Sequence, residues 1–319
     1  MLTLVAGTAL AGCGRGGSAS PMPGSSASVS TPAATSGTQP ARSTAPATTG
    51  PSGSAVTGST ATESGSSEAA ASATEVPAPP VVAGSPLQRW LAQPLVEIAH
   101  HGGSASWPPA SPLAYRNAVA WNPELALEFS ARRTADGVWV GSEDATTGAV
   151  YGTDLTIADS TWDQLSTLRS VDGNQPMSRL DTDLLNVAPA DRVLFVDDKD
   201  NANVVELLDL LDQHGGPGRT VIKSYWKTVA TPTEAHRRGY QTWGYYYADE
   251  MAEFAATQSR FDLLGINVNA PTAVYQEMLA TGKRMIAHII RTPEQAELGR
   301  SRGATGLMVA AVEQVVPQT

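Results

Sequence analysis

From Leu87 to the C-terminus, apolar runs of five to eight residues alternate with stretches whose apolar positions recur at helical spacing. That is the pattern of repeated βα units around a parallel sheet. Eight runs stand out, at residues 96–100, 125–130, 192–197, 220–225, 240–247, 263–269, 284–290 and 306–311. Glycines punctuate the helical segments between them: Gly215-Gly216, Gly239, Gly282 and Gly303 each stand where a helix should stop. Eight strands in about 230 residues predict a closed (β/α)8 TIM barrel over residues 86–319. An open doubly wound sheet is the alternative, although His100-His101-Gly102-Gly103 lacks the later glycine and the helix start of a phosphate-binding loop. One connection departs from the regular alternation. Ala135-Asp136-Gly137 is a turn signal followed by Val138-Trp139-Val140, which predicts a hairpin extending the second strand and returning towards the barrel mouth.

Residues 14–84 are almost entirely Ser, Thr, Ala, Gly and Pro, with Arg15, Arg42, Glu63, Glu68 and Glu75 as the charged exceptions. So little apolar surface cannot offset the entropy of ordering, and residues 14–85 are expected to form a disordered tether. As a flexible coil it would reach on the order of 45 Å. The one cysteine, Cys13, excludes a disulfide framework and a thiolate metal cluster. It follows a short apolar run, residues 1–12, and the sequence Leu10-Ala11-Gly12-Cys13 resembles a bacterial lipoprotein lipobox, although no basic residue precedes the run. That resemblance implies lipidation at Cys13, a membrane partner reached through a lipid anchor, and an extracytoplasmic location at a bacterial envelope. With 21 basic and 31 acidic residues, a net charge of −10, nucleic acid is not an expected partner.

In a barrel of this kind, functional groups sit at the C-terminal ends of the strands, where His100, Glu128, Asp197 and Lys199 fall. Side chains alternate along a strand, so positions 128 and 130 share a face, as do Asp197 and Lys199. An acid buried in the 125–130 strand needs a partner such as Lys199 or Lys223 if it is structural. The aromatic group Trp243, Tyr245, Tyr246 and Tyr247 and the pair Tyr225-Trp226 are placed to wall a pocket or to pack the core and rim. His236-Arg237-Arg238 reads as a solvated helix end, and neither His236 nor His288 is assigned to catalysis.

Ile98-Ala99-His100-His101-Gly102-Gly103 resembles the A-H-R-G-G opening of the glycerophosphodiester phosphodiesterase family. The likeness continues in order. Pro109 to Tyr115 is similar to its P-E-N-T-L-A-A-F, Glu128-Phe129-Ser130 to its E-x-D, and Thr134-Ala135-Asp136-Gly137 to its T-x-D-G. Glu143-Asp144 stands at its H-D, Val196-Asp197-Asp198-Lys199 at its I-E-x-K, and residues 303–310 at its closing strand. The resemblance implies a barrel of the phosphatidylinositol-phosphodiesterase-like type and metal-assisted hydrolysis of a small phosphodiester or lipid-derived substrate. It also implies His100 as a catalytic acid or base, Glu128 and Asp197 as metal ligands, and Lys199 as a substrate-binding residue.

Ala110 stands where the family has the acid of P-E-N-T, and three further departures fall on the chemistry itself. Ser130 replaces the second carboxylate, His101 the phosphate-binding Arg, and Glu143 the second catalytic His. Losing one of three acids weakens a site for a hard cation such as Mg²⁺ or Ca²⁺. Glu143 could restore that carboxylate while His101 joins His100 in acid–base work; as a proton donor, Glu143 would instead need its pKa raised by burial. The alternative is a catalytically inactive barrel that binds a ligand or serves as a scaffold.

Overall fold

The structure, a computed structural model, describes residues 77–319. The lipobox-like segment with Cys13 and residues 14–76 of the tether lie outside the described residues. Nine strands form one sheet: β1 (Val96–Ala99), β2 (Ala126–Arg133), β3 (Trp139–Gly141), β4 (Leu194–Asp198), β5 (Thr220–Tyr225), β6 (Gln241–Tyr246), β7 (Leu263–Asn267), β8 (Arg284–Ile290) and β9 (Gly306–Val309). All but β3 are parallel to their neighbours, and β1 pairs with both β9 and β2, which closes an eight-stranded barrel. The eight apolar runs read from the sequence are these eight strands. β3 is the exception foreseen: it runs antiparallel to β2, with Arg133 opposite Trp139 and Ala131 opposite Gly141, across the turn at Asp136-Gly137.

Helices Val204–Asp212, Ala230–Arg237, Thr272–Leu279 and Pro293–Ser301 cover the outside of the barrel, and the glycines expected to end them all have positive φ. Alternation along each strand sorts the core into two. Leu127, Phe129, Leu194, Val196, Ile222, Leu264 and Leu307 point outwards to the helices. Val96, Ile98, Ala126, Phe195, Val221, Trp243, Leu263, Ile286 and Met308 point inwards. The lower end of that inner column is plugged by the helix Pro86–Leu91, started by Ser85 as its N-cap; Leu87 and Trp90 of this helix are buried, and the Trp90 ring lies 5.5 Å from that of Phe195. Contacts reach a little further back along the chain, since Pro79 accepts a hydrogen bond from Gln241 Nε2 at 2.6 Å and Val81 packs on the inner cluster.

Between β3 and β4 the chain makes an excursion that the sequence pattern does not announce. It contains the short helices Gly148–Tyr151 and Trp162–Ser166, a π-helical turn at Leu180–Leu185, and a small core of Val140, Ile157, Leu165 and Met177. It carries the loop that brings Glu143 back to the mouth. No helix of the described residues is long and apolar enough to cross a membrane.

Candidate active site at the barrel mouth

Above the apolar column the inward positions change character. The next residues up the same strands are His100 after β1, Glu128 and Ser130 on β2, Asp197 and Lys199 at the end of β4, Lys223 on β5 and Tyr245 on β6. His101 reaches the same place by a different route. Its backbone is left-handed, with φ 49°, which a histidine adopts only at some cost in strain. The turn continues through Gly102, where a Cβ would come within 2.9 Å of the Ala114 Cβ. This turn aims the His101 backbone N–H at Glu128, donating to Oε2 at 2.7 Å, and stacks the two imidazole rings at 3.9 Å.

Glu128 is fully buried and uses both oxygens. Oε1 accepts from Lys223 Nζ at 2.9 Å and from Ser130 Oγ at 3.1 Å, while Oε2 takes the His101 N–H. Lys223 also lies 3.1 Å from Asp197 Oδ2, and Lys199 Nζ lies 2.9 Å from the same oxygen, contacts that are ionic rather than well-directed hydrogen bonds. Lys199 then donates to Glu143 Oε1 at 2.6 Å, and Glu143 Oε2 lies 3.3 Å from His101 Nε2 and 3.0 Å from Ser130 Oγ, competing with Glu128 for the one hydroxyl proton. Three carboxylates, two ammonium groups and His101 thus form one continuous network.

The network fixes protonation. Burial alone would push the Glu128 carboxyl up, but Lys223 and the two histidines outweigh it and hold Glu128 well below the usual carboxylate range. Burial opposes the charge on Glu143 too, and contact with His101 and the ammonium groups of Lys199 and Lys223 again reverses the balance. Glu143 is therefore a carboxylate near neutrality. It restores a third acid at the mouth, and the proton-donor role weighed for it does not fit a group so firmly ionised. Lys223 is raised well above its ordinary value, since Glu128 and Asp197 overcome the penalty of burial. His100 moves the other way: burial, then the neighbouring His101, with Lys223 adding to them, lower its pKa well below 6.5, so the ring is neutral at pH 7. Ser104 Oγ lies 2.9 Å from His100 Nδ1, and among the described residues Nε2 has no protein hydrogen-bond partner.

His100, Glu143, Lys199 and Lys223 line a small cleft of about 50 Å³ together with Trp243, Tyr245, Tyr247, His288, Ile289 and Met308. His288 was not foreseen as a lining residue. It is buried, its Nε2 has no hydrogen-bond partner among the described residues, and burial followed by the charge of Lys223 lowers its pKa to about 3. The aromatic group divides between the cleft wall and the outer core. Tyr246 alternates to the outside of the barrel, where it packs against Phe254 and Phe261, and Trp226 stacks on it there; Tyr225 lies 5.6 Å from Tyr245 by ring centroids. His236 needs a correction: it is buried, 2.9 Å from Thr242 Oγ1 and 3.0 Å from Asp262 Oδ2, and not at a solvated helix end.

Ligand atoms of His100, His101 and Glu128 lie within 4.8 Å of one another, so this group could hold an ion. A hard cation such as Mg²⁺ or Ca²⁺ does not fit the arrangement. Ca²⁺ takes six to eight oxygens, and Mg²⁺ keeps several waters but needs one or two carboxylates free to bind it directly. Here the set offers two imidazoles and one carboxylate whose oxygens already accept from Lys223, Ser130 and the His101 N–H. Asp197, the other expected ligand, is held by two ammonium groups.

No family model and no curated protein sequence matches the chain. Solved structures do. A Silicibacter pomeroyi protein assigned as a glycerophosphoryl diester phosphodiesterase is 18% identical, covering 71% of this chain and 94% of its own, with a TM-score of 0.61. An Oleispira antarctica phosphodiesterase, in complex with the product sn-glycerol-3-phosphate, is 16% identical over 68% and 93%, with a TM-score of 0.58. The glycerophosphodiester phosphodiesterase of Thermotoga maritima is 18% identical over 69% and 96%, with a TM-score of 0.57. The chain has the glycerophosphodiester phosphodiesterase fold. In this barrel the charged cluster occupies the C-terminal ends of the strands, the end at which (β/α)8 enzymes place their sites.

Proposed function

We propose that this barrel binds and hydrolyses a small phosphodiester of the glycerophosphodiester class in lipid or envelope metabolism. The observation that carries the reading is a neutral His100, Nε2 without a protein partner, lining one cleft with Lys199 and Lys223. A neutral imidazole with an open nitrogen is a base. His100 Nε2 takes the proton of a water as its oxygen bonds to phosphorus. The bond from phosphorus to the leaving alcohol breaks, and the alkoxide, a stronger base than the lysine amine, takes a proton from the Lys199 ammonium. Lys223 places fixed positive charge beside the phosphoryl oxygens, where it acts without reorganisation. The product complex of the Oleispira phosphodiesterase supports glycerol phosphate as the ligand class.

The test is ³¹P NMR of glycerophosphocholine and glycerophosphoethanolamine with wild type and His100→Ala, beside calorimetry with sn-glycerol 3-phosphate. The reading expects turnover that falls at least about 100-fold in the variant, the usual contribution of a general base, while product binding persists. Because the pKa of His100 is lowered, the acid limb of the rate should lie below pH 6.5. A second reading, a ligand-binding barrel without turnover, is favoured by one observation: both lysines are already paired with carboxylates. Binding without hydrolysis would establish it.

Attachment to a membrane through Cys13 belongs to the same proposal and rests on the lipobox-like Leu10-Ala11-Gly12-Cys13. Lipid labelling that disappears in Cys13→Ser, with release of the protein from the membrane fraction, is the expected result.

A further inference from the structure

The charged cluster contains a cation of its own. Lys223 Nζ lies 2.9 Å from Glu128 Oε1 and 3.1 Å from Asp197 Oδ2, bridging carboxylates from two neighbouring strands. A divalent ion serving both acids would have to sit in that same space, and two cations cannot share it. Its surroundings pack Lys223 in this position. Its side chain is 8% exposed, its stem rises from β5 inside the barrel, and Trp243 and Tyr245 stand 5.8 Å and 5.1 Å away by ring centroid. Lys199, 2.9 Å from the other side of Asp197, adds a second positive charge.

We propose that Lys223 is the resident cation of this barrel: its ammonium fills the position between Glu128 and Asp197 that Mg²⁺ or Ca²⁺ would need, and the mouth takes its anionic ligand without either metal. The inference rests on the mouth being the ligand site, but its test involves no substrate, so loss of the hydrolytic reading and loss of this one are separable.

The experiment is calorimetric titration of Mg²⁺ and Ca²⁺ into the full chain, with thermal unfolding followed in EDTA and in millimolar cation. Wild type should show no saturable binding and no shift in Tm. Lys223→Gln removes the ammonium that Glu128 and Asp197 share, leaving Lys199 on Asp197, and so takes away a positive charge a few ångströms from a bound cation. Affinity for the cation should therefore rise at least about tenfold. The gained site should vanish in Lys223→Gln/Asp197→Asn, and Tm should rise with cation in the single variant alone. Lys223→Met serves in its place where the glutamine variant does not fold. Saturable binding to wild type that is lost in Glu128→Gln overturns the proposal, as does a folded Lys223 variant that stays indifferent to both cations.

Discussion

The lower part of the barrel interior is filled by Val96, Phe195, Val221, Trp243, Leu263 and Ile286, none of them titratable. One layer higher, the same strands present Glu128, Asp197 and Lys223, joined by Lys199 and Glu143. The lower layer is held by burial of apolar surface, which is indifferent to pH and direction. The upper layer is held by ion pairs, whose attraction must offset the cost of taking each charge out of water. A barrel can carry such a layer because the apolar column below and the helices outside make it stable independently. The upper layer is then free to be arranged for a ligand.

That contrast can be broken from either side. Phe195→Ala should cost the most, about 3–5 kcal/mol, because it opens a cavity between Trp90 and Trp243. Denaturant unfolding should give nearly the same loss at pH 4 and pH 8. Glu128→Gln strands a buried ammonium on one remaining partner, Asp197, and should cost about 3 kcal/mol at neutral pH. The pKa of Glu128 is depressed in the fold, so its contribution is present above the unfolded value of about 4.3 and is lost as pH falls towards the folded value. The gap between variant and wild type should therefore narrow below about pH 4.3, whereas for Phe195→Ala it should not.

Asp198 sharpens the comparison with the opposite sign. It is buried on the outer face of β4, its Oδ2 lacks a partner, and burial raises its pKa to about 6. A raised carboxyl favours the fold below its unfolded pKa, and that contribution disappears as pH rises through about 6. Asp198→Asn should stabilise the protein by about 1–3 kcal/mol above pH 6 and by nothing below about pH 4. The smallest effect is expected for Glu143→Gln. Its side chain is 52% exposed, so its contact with Lys199 should contribute about 1 kcal/mol or less and fade with added salt.

Much of the candidate site could be read before any coordinates. Strand alternation put Glu128 beside Ser130 and Asp197 beside Lys199, and the fold does so, because a period of two is local geometry. Lys223 was legible as one of two candidate partners for Glu128, since a charge between Ile222 and Ser224 in a buried strand needs a counter-ion. Its second contact, to Asp197, required the register of β4 against β5, in which Asp197 sits opposite Lys223. Tyr246 and Trp226 were grouped with the wall by proximity in sequence, although the same alternation would have sent Tyr246 outwards. His288 carries no local signal, as a histidine in an apolar strand reads alike whether it faces helices or the lumen.

The sequence by itself determined the number and order of the strands, the extra hairpin, the helix stops and the faces on which the acids and lysines lie. These follow from apolar periodicity, turn chemistry and backbone sterics, all of which act over a few residues. Only the tertiary structure decided that Glu143, carried on an irregular excursion, returns to Lys199 and His101, and that His100 is neutral while Glu143 is ionised. Those outcomes depend on burial and on charges brought together from distant parts of the chain. Coulomb energies over a few ångströms are set by the closure of the barrel, which no local stretch of sequence contains.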